Sequence, residues 1–292
     1  MNKIFLIGGS GYLGQYFIKS FSKNNLIYAQ INKTIFKKKK NLLSVKKKMS
    51  KKELLIYLKK KKINVIVNFS SIANIEFCEN NYLKAKNVHE NIVKKFVDCA
   101  SKLNIYFLHI STDHVFDGNL RRSYNEKDIP KGINIYSKTK LKGEKISLKY
   151  KNSAVIRTNF FGKSFTNKPS FSDTVINNLS KNRKINLWTD IYFSPIHIIN
   201  LIYVVKIFIK KKITGLHHVS SVKISKYDLG IKIAKKLKLN HKLITKNIFD
   251  KKKFVKRPKN MSLDSKKIRS RIPNLKKILS LDYQLKTLEK FK

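Results

Sequence analysis

KIFLIGGSGYLG, residues 3–14, is the stretch on which the reading of the whole chain turns. Its first five residues, Lys3 to Ile7, are a short apolar run suited to a strand covered on both faces. Glycines follow at Gly8, Gly11 and Gly14, with Gly9 offering a second spacing, Gly9-x-Gly11-x-x-Gly14. Helical periodicity resumes at Tyr12. Strand, glycine turn and helix in direct succession suit a pyrophosphate. The glycines permit the tight turn and close approach of the backbone, and the helix N-terminus favours negative charge. The expected cradle is the backbone of Gly8, Gly11, Tyr12, Leu13 and Gly14.

Outward from this stretch, apolar strands alternate with helical segments. Strands are predicted at Lys3–Ile7, Leu26–Ile31, Val65–Phe69, Ile105–Ser111 and Ala154–Arg157. Helices are predicted near Tyr12–Lys23, Lys51–Lys61, Leu83–Leu103 and Tyr136–Tyr150, the second opened by a Ser50–Glu53 capping box. This alternation predicts an α/β fold, a Rossmann-type doubly wound parallel sheet with a smaller C-terminal substrate lobe. Residues 1–160 would form the dinucleotide-binding domain, regaining about 190–212, and residues 161–292 mainly the substrate lobe. After Gly162 the pattern loosens to a helix near Phe171–Ser180, a strand at Ile185–Trp188 and a helix from about His197 to Lys210. Ser225 is placed to cap a helix over Lys226–Leu237.

The chain's 292 residues, 42% of them hydrophobic, are enough for a large buried core. Cys78 and Cys99 have no metal-type spacing and suit a reducing cytosol, so neither a disulfide nor a metal site is expected. The apolar run Ile4–Ile7 is too short for a signal core, and Leu201–Ile209 is too short to cross a bilayer. A formal net charge of +48 raises the question of nucleic acid. The basic runs are scattered among expected loops and helix ends, without a helix-turn-helix, zinc finger or RNA-binding aromatic motif. Compositional drift toward lysine, isoleucine and asparagine accounts for the charge better than a dedicated nucleic-acid partner.

The kind of dinucleotide depends on the end of the second strand, where an acid would grip the ribose hydroxyls of NAD. Here the strand runs into Asn32 and Lys33, which would welcome a 2′-phosphate. NADP(H) is favoured over NAD(H). After the third strand, the backbone of Ser70, Ser71 and Ile72 should line the same cofactor, joined by Ser111 at the end of the fourth.

Catalytic candidates come from IYSKTKLKGE, residues 135–144, where Tyr136 precedes Lys140 by one helical turn. The spacing alone carries little, because 65 basic residues place one four positions after about three of the 13 tyrosines by chance. The chain has three such pairs, and context selects among them. Only Tyr136–Lys140 follows, at comparable distance, a strand end bearing hydroxyls, Ser111 and Thr112.

Together GGSGYLG, STDHVFDG, YSKTKLKGE, VIRTNFFG, GLHHVSS and RPKNMSLDSKKI resemble the extended short-chain dehydrogenase/reductases, most closely the dTDP-4-dehydrorhamnose reductases. The resemblance covers nearly the whole chain. It implies hydride transfer to the C4 ketone of a nucleotide-linked deoxysugar, with Tyr136 donating the proton, Lys140 easing its loss and holding the nicotinamide ribose, and Thr112 orienting the carbonyl. Asp113 and Phe160 match positions that touch the nucleotide sugar in relatives. A homodimer is compatible with the family. Thr112-Asp113-His114 lacks the Asp-Glu pair of the related 4,6-dehydratases, which favours plain reduction; epimerisation remains an alternative, as does a non-catalytic NADP-binding regulatory subunit. His89 stands where the family's motif carries Asn, which departs from the expected site.

Overall fold

The computed structural model of the chain describes residues 1–30, 41–45, 48–250 and 252–288. Six strands in chain order are β1 (Lys3–Ile7), β2 (Leu26–Gln30), β3 (Leu42–Val45), β4 (Val65–Asn68), β5 (Tyr106–Thr112) and β6 (Ser153–Thr158). With Gly215–His218 they form a seven-stranded sheet in which β1 lies between β2 and β4, β3 is one edge and Gly215–His218 the other. The pairings β1–β2, β2–β3, β1–β4 and β4–β5 are parallel. The chain therefore winds outward in one direction through β2 and β3, then returns to build β4, β5 and β6 on the other side of β1. This is the doubly wound Rossmann-type sheet expected from the sequence.

Register fixes the functional edge. Ile7 pairs with Gln30 and with Asn68, so β1, β2 and β4 finish level, while β5, whose His109 pairs with Asn68, runs three residues further to Thr112. The crossing point of a doubly wound sheet lies between β1 and β4, and ligands of such folds bind outside the carboxyl ends there. Gly8 follows β1 directly, and Ser70 comes two residues after the end of β4.

Two compact units are distinguishable. The first comprises residues 1–111, 138–156 and 202–216; the second comprises residues 112–137, 157–201 and 217–292. In the first, every residue of β4 is buried, as expected of a strand covered on both faces. Phe5 and Ile66 from the sheet meet Leu54 and Leu58 from helix Lys51–Lys60 and Phe96 from helix Ile92–Lys102 in one apolar cluster. Full burial of each such side chain is worth ~1.5–3 kcal/mol. Helix Lys51–Lys60 begins as predicted. Ser50 Oγ accepts from Glu53 N at 3.2 Å and Glu53 Oε2 accepts from Ser50 N at 2.7 Å.

The second unit builds its core from helices Phe171–Leu179, Lys226–Lys236 and Leu281–Lys286 around the parallel pair Ile185–Trp188 and Ile244–Asn247. Ser225 caps the second of these helices by accepting from Asp228 N at 3.0 Å. Trp188 packs edge-on against Phe249 and Phe254, with ring centroids 5.1 and 5.5 Å away.

The helix expected over Leu83–Leu103 is broken into three parts. Tyr82–Lys86 is α-helical, Asn87–Asn91 is a π-turn, and Ile92–Lys102 resumes the α-helix. Such a turn inserts one residue into the helical ladder and re-aims the side chains around it. Here the re-aimed residue is His89.

Candidate active site

The glycine turn is built by steric necessity. Gly8 has φ +81°, a backbone conformation that residues with a Cβ rarely adopt, and a Cβ there would lie 2.8 Å from Ser70 N. A Cβ on Gly14 would stand 2.3 Å from Gly8 O. The helix from Tyr12 to Phe21 opens at Gly11, which has no side chain to cap it, and its N-terminus faces the turn. An open backbone concavity at a helix N-terminus fits a pyrophosphate. Tyr12 and Leu13 are the helix's first residues, and Leu13 is buried. Asn32 and Lys33, expected to meet the ribose, lie outside the described residues.

Ser70, Ser71 and Ile72 follow β4 and are tied down in two ways. Asn68 Oδ1 accepts from Ser70 N at 3.0 Å and from Ser70 Oγ at 2.7 Å, while its amide meets His109 Nδ1 across the β4–β5 pair at 3.0 Å. The second tie is His89. Its Nε2 accepts the Ile72 N–H at 3.0 Å and lies 3.2 Å from Ser71 Oγ. Because Nε2 accepts a backbone proton, Nδ1 carries the ring hydrogen and donates it to Thr139 Oγ1, 2.8 Å away. One imidazole thus joins the loop after β4 to the residue next to Lys140. Burial first, and the Lys140 charge second, push the His89 pKa down to about 3, so the ring is neutral at physiological pH.

Tyr136 and Lys140 lie on one helix, Ile135–Leu148. The Tyr136 residue is 8% exposed and its ring meets His114 edge-on at 5.7 Å. Lys140 is 2% exposed, and its Nζ donates to Ile110 O at 2.8 Å. Burial lowers its pKa to about 8, against the opposing pull of Glu144 one turn further on. Glu144 in turn accepts from Ser111 Oγ. Lys140 is therefore a desolvated cation held at the end of β5, with a carboxylate beneath it. The same helix passes so close to the π-turn that a Cβ on Gly143 would lie 2.2 Å from His89 O.

Thr112 closes β5, and its Oγ1 both accepts from His114 N and donates to Asp113 Oδ1, at 3.2 Å each. Asp113 is fully buried, and its other oxygen accepts from Asn159 Nδ2 at 2.9 Å. Burial, only partly offset by these bonds and by Lys226, raises its pKa to about 6. Phe160 lies in a two-residue strand, Phe160–Phe161, paired with Ile196–His197.

A family profile described as the RmlD substrate binding domain matches residues 1–280. The chain belongs to that family. It is accordingly an extended short-chain dehydrogenase/reductase, an NAD(P)-dependent oxidoreductase by class. A dTDP-4-dehydrorhamnose reductase of Aggregatibacter actinomycetemcomitans is 30% identical over 223 residues, 71% of this chain and 74% of that protein. The crystal structure of a hypothetical dTDP-4-dehydrorhamnose reductase from Sulfolobus tokodaii superposes with a TM-score of 0.81 at 27% identity, covering 93% of this chain and 95% of that one. A dTDP-4-dehydrorhamnose reductase from Bacillus anthracis, solved in complex with NADP, shares the fold at a TM-score of 0.79 and 19% identity, covering 96% and 97%.

Several site-bordering residues of this family member gave no signal in the sequence. Glu144 and Asn159 hold Ser111 and Asp113 from far off in the chain, and His109 steadies Asn68, which holds the nearby Ser70. His217 and His218, adjacent in sequence, are buried in the edge strand, and His218 Nδ1 meets Tyr124 O at 3.1 Å. Among the described residues no cluster of three or more His, Cys, Asp or Glu is arranged to hold a metal ion, and no helix is long and apolar enough to cross a membrane.

Proposed function

We propose that this RmlD-family protein reduces the C4 ketone of a nucleotide-linked deoxysugar with NADPH, converting dTDP-4-dehydro-L-rhamnose to dTDP-L-rhamnose. The observation that carries the reading is the state of Lys140. Lys140 is 2% exposed with its Nζ on Ile110 O at 2.8 Å, on the helix that bears Tyr136 one turn earlier, and a cation is costly to keep in such a place. It is what a tyrosine with an ordinary pKa near 10 requires in order to release a proton at neutral pH.

The dinucleotide fits the Gly8–Gly14 turn, with the loop Ser70–Ile72 beside it, and when bound it supplies the hydride. This chain's own residues do the rest. Tyr136 hands its hydroxyl proton to the carbonyl oxygen as that oxygen gains charge, and the Lys140 ammonium stabilises the phenolate left behind. Thr112 positions the carbonyl oxygen, Phe160 contacts the sugar nucleotide, and the buried Asp113 supports that wall of the site through its bonds to Thr112 and Asn159. Ser111, by holding Glu144, keeps the lysine's counter-charge below it rather than beside the tyrosine. The first unit holds the dinucleotide and the second the sugar nucleotide. The 2′-phosphate of NADP is assigned to the Asn32–Lys33 segment on its charge, and a named relative crystallised with NADP is consistent with that choice.

The test is NADPH oxidation by the purified protein with dTDP-4-dehydro-L-rhamnose, beside Tyr136→Phe. Turnover that collapses in the variant is the expected result. Equal turnover in both proteins would remove Tyr136 from the chemistry. Binding of NADPH without turnover would point to a regulatory subunit instead.

A further inference from the structure

Lys226 is the first residue of its helix, and its ammonium lies over aromatic rings. Its Nζ lies 3.7 Å from the centroid of the Phe193 ring and 5.1 Å from that of Phe171. Phe193 is 1% exposed, and both rings border the core of the second unit. Three features make this a costly place for a cation. Neighbouring atoms desolvate it, lowering its pKa to about 8. The Arg257 guanidinium is close enough to repel it. It also stands at a helix N-terminus, where the backbone dipole favours negative charge.

Compensation within the fold is incomplete. The aromatic faces give a partial cation–π offset. Asp113 attracts the ammonium, but its two oxygens are engaged by Thr112 and Asn159, and among the described residues no carboxylate comes within 4 Å of Lys226. His114, which feels both Lys226 and Arg257, is held neutral with its pKa pushed down to about 3, chiefly by burial. Arg257 is spread over Trp188 and Phe254, 5.6 and 5.9 Å from their ring centroids. Lys226 therefore depends on one carboxylate whose oxygens are already engaged, with the Arg257 guanidinium close enough to oppose it. The Lys226 residue as a whole is only half-buried. Buried charges persist in proteins where a partner answers them, and here the missing partner is an anion.

We infer that Lys226 is a phosphate-binding residue of this protein, its ammonium beside Phe193 answering the diphosphate of the nucleotide-linked substrate. The inference rests on the reading of that substrate as a nucleotide sugar. One bound phosphate oxygen relieves all three penalties at once, because it pairs the ammonium, screens it from Arg257 and meets the helix N-terminus with the charge that the dipole favours.

The experiment compares wild type, Lys226→Met and Lys226→Arg by calorimetric titration with dTDP and, separately, NADP, and by thermal melting without ligand. Methionine keeps the length and the contact with Phe193, so the variant should fold. Expected are at least a tenfold loss of dTDP affinity in Lys226→Met, a smaller loss in Lys226→Arg, unchanged NADP affinity, and an unliganded melting temperature equal to or above wild type. Unchanged dTDP affinity in Lys226→Met would overturn the inference while leaving the substrate reading intact. A lowered melting temperature with both ligands weakened alike would overturn it too, by making Lys226 a structural residue. Wild type that binds NADP but no dTDP would sink the substrate reading itself, and this inference with it.

Discussion

His89 Nδ1 and Thr139 Oγ1, fifty residues apart in the chain, meet at 2.8 Å. Through that bond and the one from Ile72 N, a single neutral ring fixes the spacing between the loop after β4 and the helix that carries Lys140. The histidine supplies two kinds of contact, an acceptor and a donor, from one ring.

Removing the ring takes an acceptor from the Ile72 N–H and a donor from Thr139. In His89→Ala the Ile72 N–H loses its partner at a cost of roughly 1–3 kcal/mol, and the lost Thr139 bond and ring packing add to it. Urea unfolding should show a loss of about 2–4 kcal/mol. NADPH should bind more weakly, read as a raised KM. A variant as stable as wild type would mean that the clamp contributes nothing.

Lys140→Met tests the electrostatic role without emptying the space. With the cation gone, Tyr136 no longer has help in losing its proton, and kcat should fall by about 10²–10⁴. Stability should change little or rise, since a desolvated charge is exchanged for a thioether. The decisive comparison is the pH profile. The wild-type profile should carry a limb near the lowered Lys140 pKa of about 8, and the variant should lack it.

Acid should destabilise the fold through its buried histidines. His89, His109, His114, His197 and His218 all have pKa values lowered by burial, so each stays neutral in the native state while its unfolded counterpart takes a proton below pH 6.5. The unfolded state then binds more protons, and stability falls as the pH drops from 7 toward 4. Asp113 works in the opposite sense. Its raised pKa keeps a proton on the native state between about 4 and 6, offsetting one histidine. Unfolding near pH 5 should therefore take up about four protons, measurable from melting enthalpies in buffers of different ionisation heat. A melting temperature that is flat between pH 7 and 5 would contradict this.

Gly143→Ala should be disproportionately damaging for a single methyl. The added Cβ falls 2.2 Å from the His89 carbonyl oxygen, and backbone cannot step aside as a side-chain tip can. A loss of about 3 kcal/mol is expected, although alanine has the higher helix propensity. A neutral or stabilising result would show that the two helices can separate.

The sequence and the structure agree where the cause is local. The buried run Lys3–Ile7, the glycine turn and the Ser50–Glu53 box act within a few residues, so pattern and side-chain chemistry reveal them. Leu42–Val45 went unread because it is a half-exposed edge strand whose place comes from pairing with β2. The π-turn at Asn87–Asn91 leaves no mark in the sequence because no residue type specifies where the helical ladder takes up its extra residue. Lys226 carried no signal for a different reason. In a chain with 65 basic residues, a lysine after a capping serine looks like any other solvated charge. Only the Phe193 ring beneath it shows otherwise.

Every glycine codon begins with two guanines, and a single change at either one specifies a residue with a Cβ or ends translation. For Gly8, Gly14 and Gly143 that Cβ would sit between 2.2 and 2.8 Å from neighbouring backbone. A genome drifting toward adenine and thymine can exchange surface residues for lysine almost anywhere on this protein. At these three codons it meets a limit set by the radius of an atom.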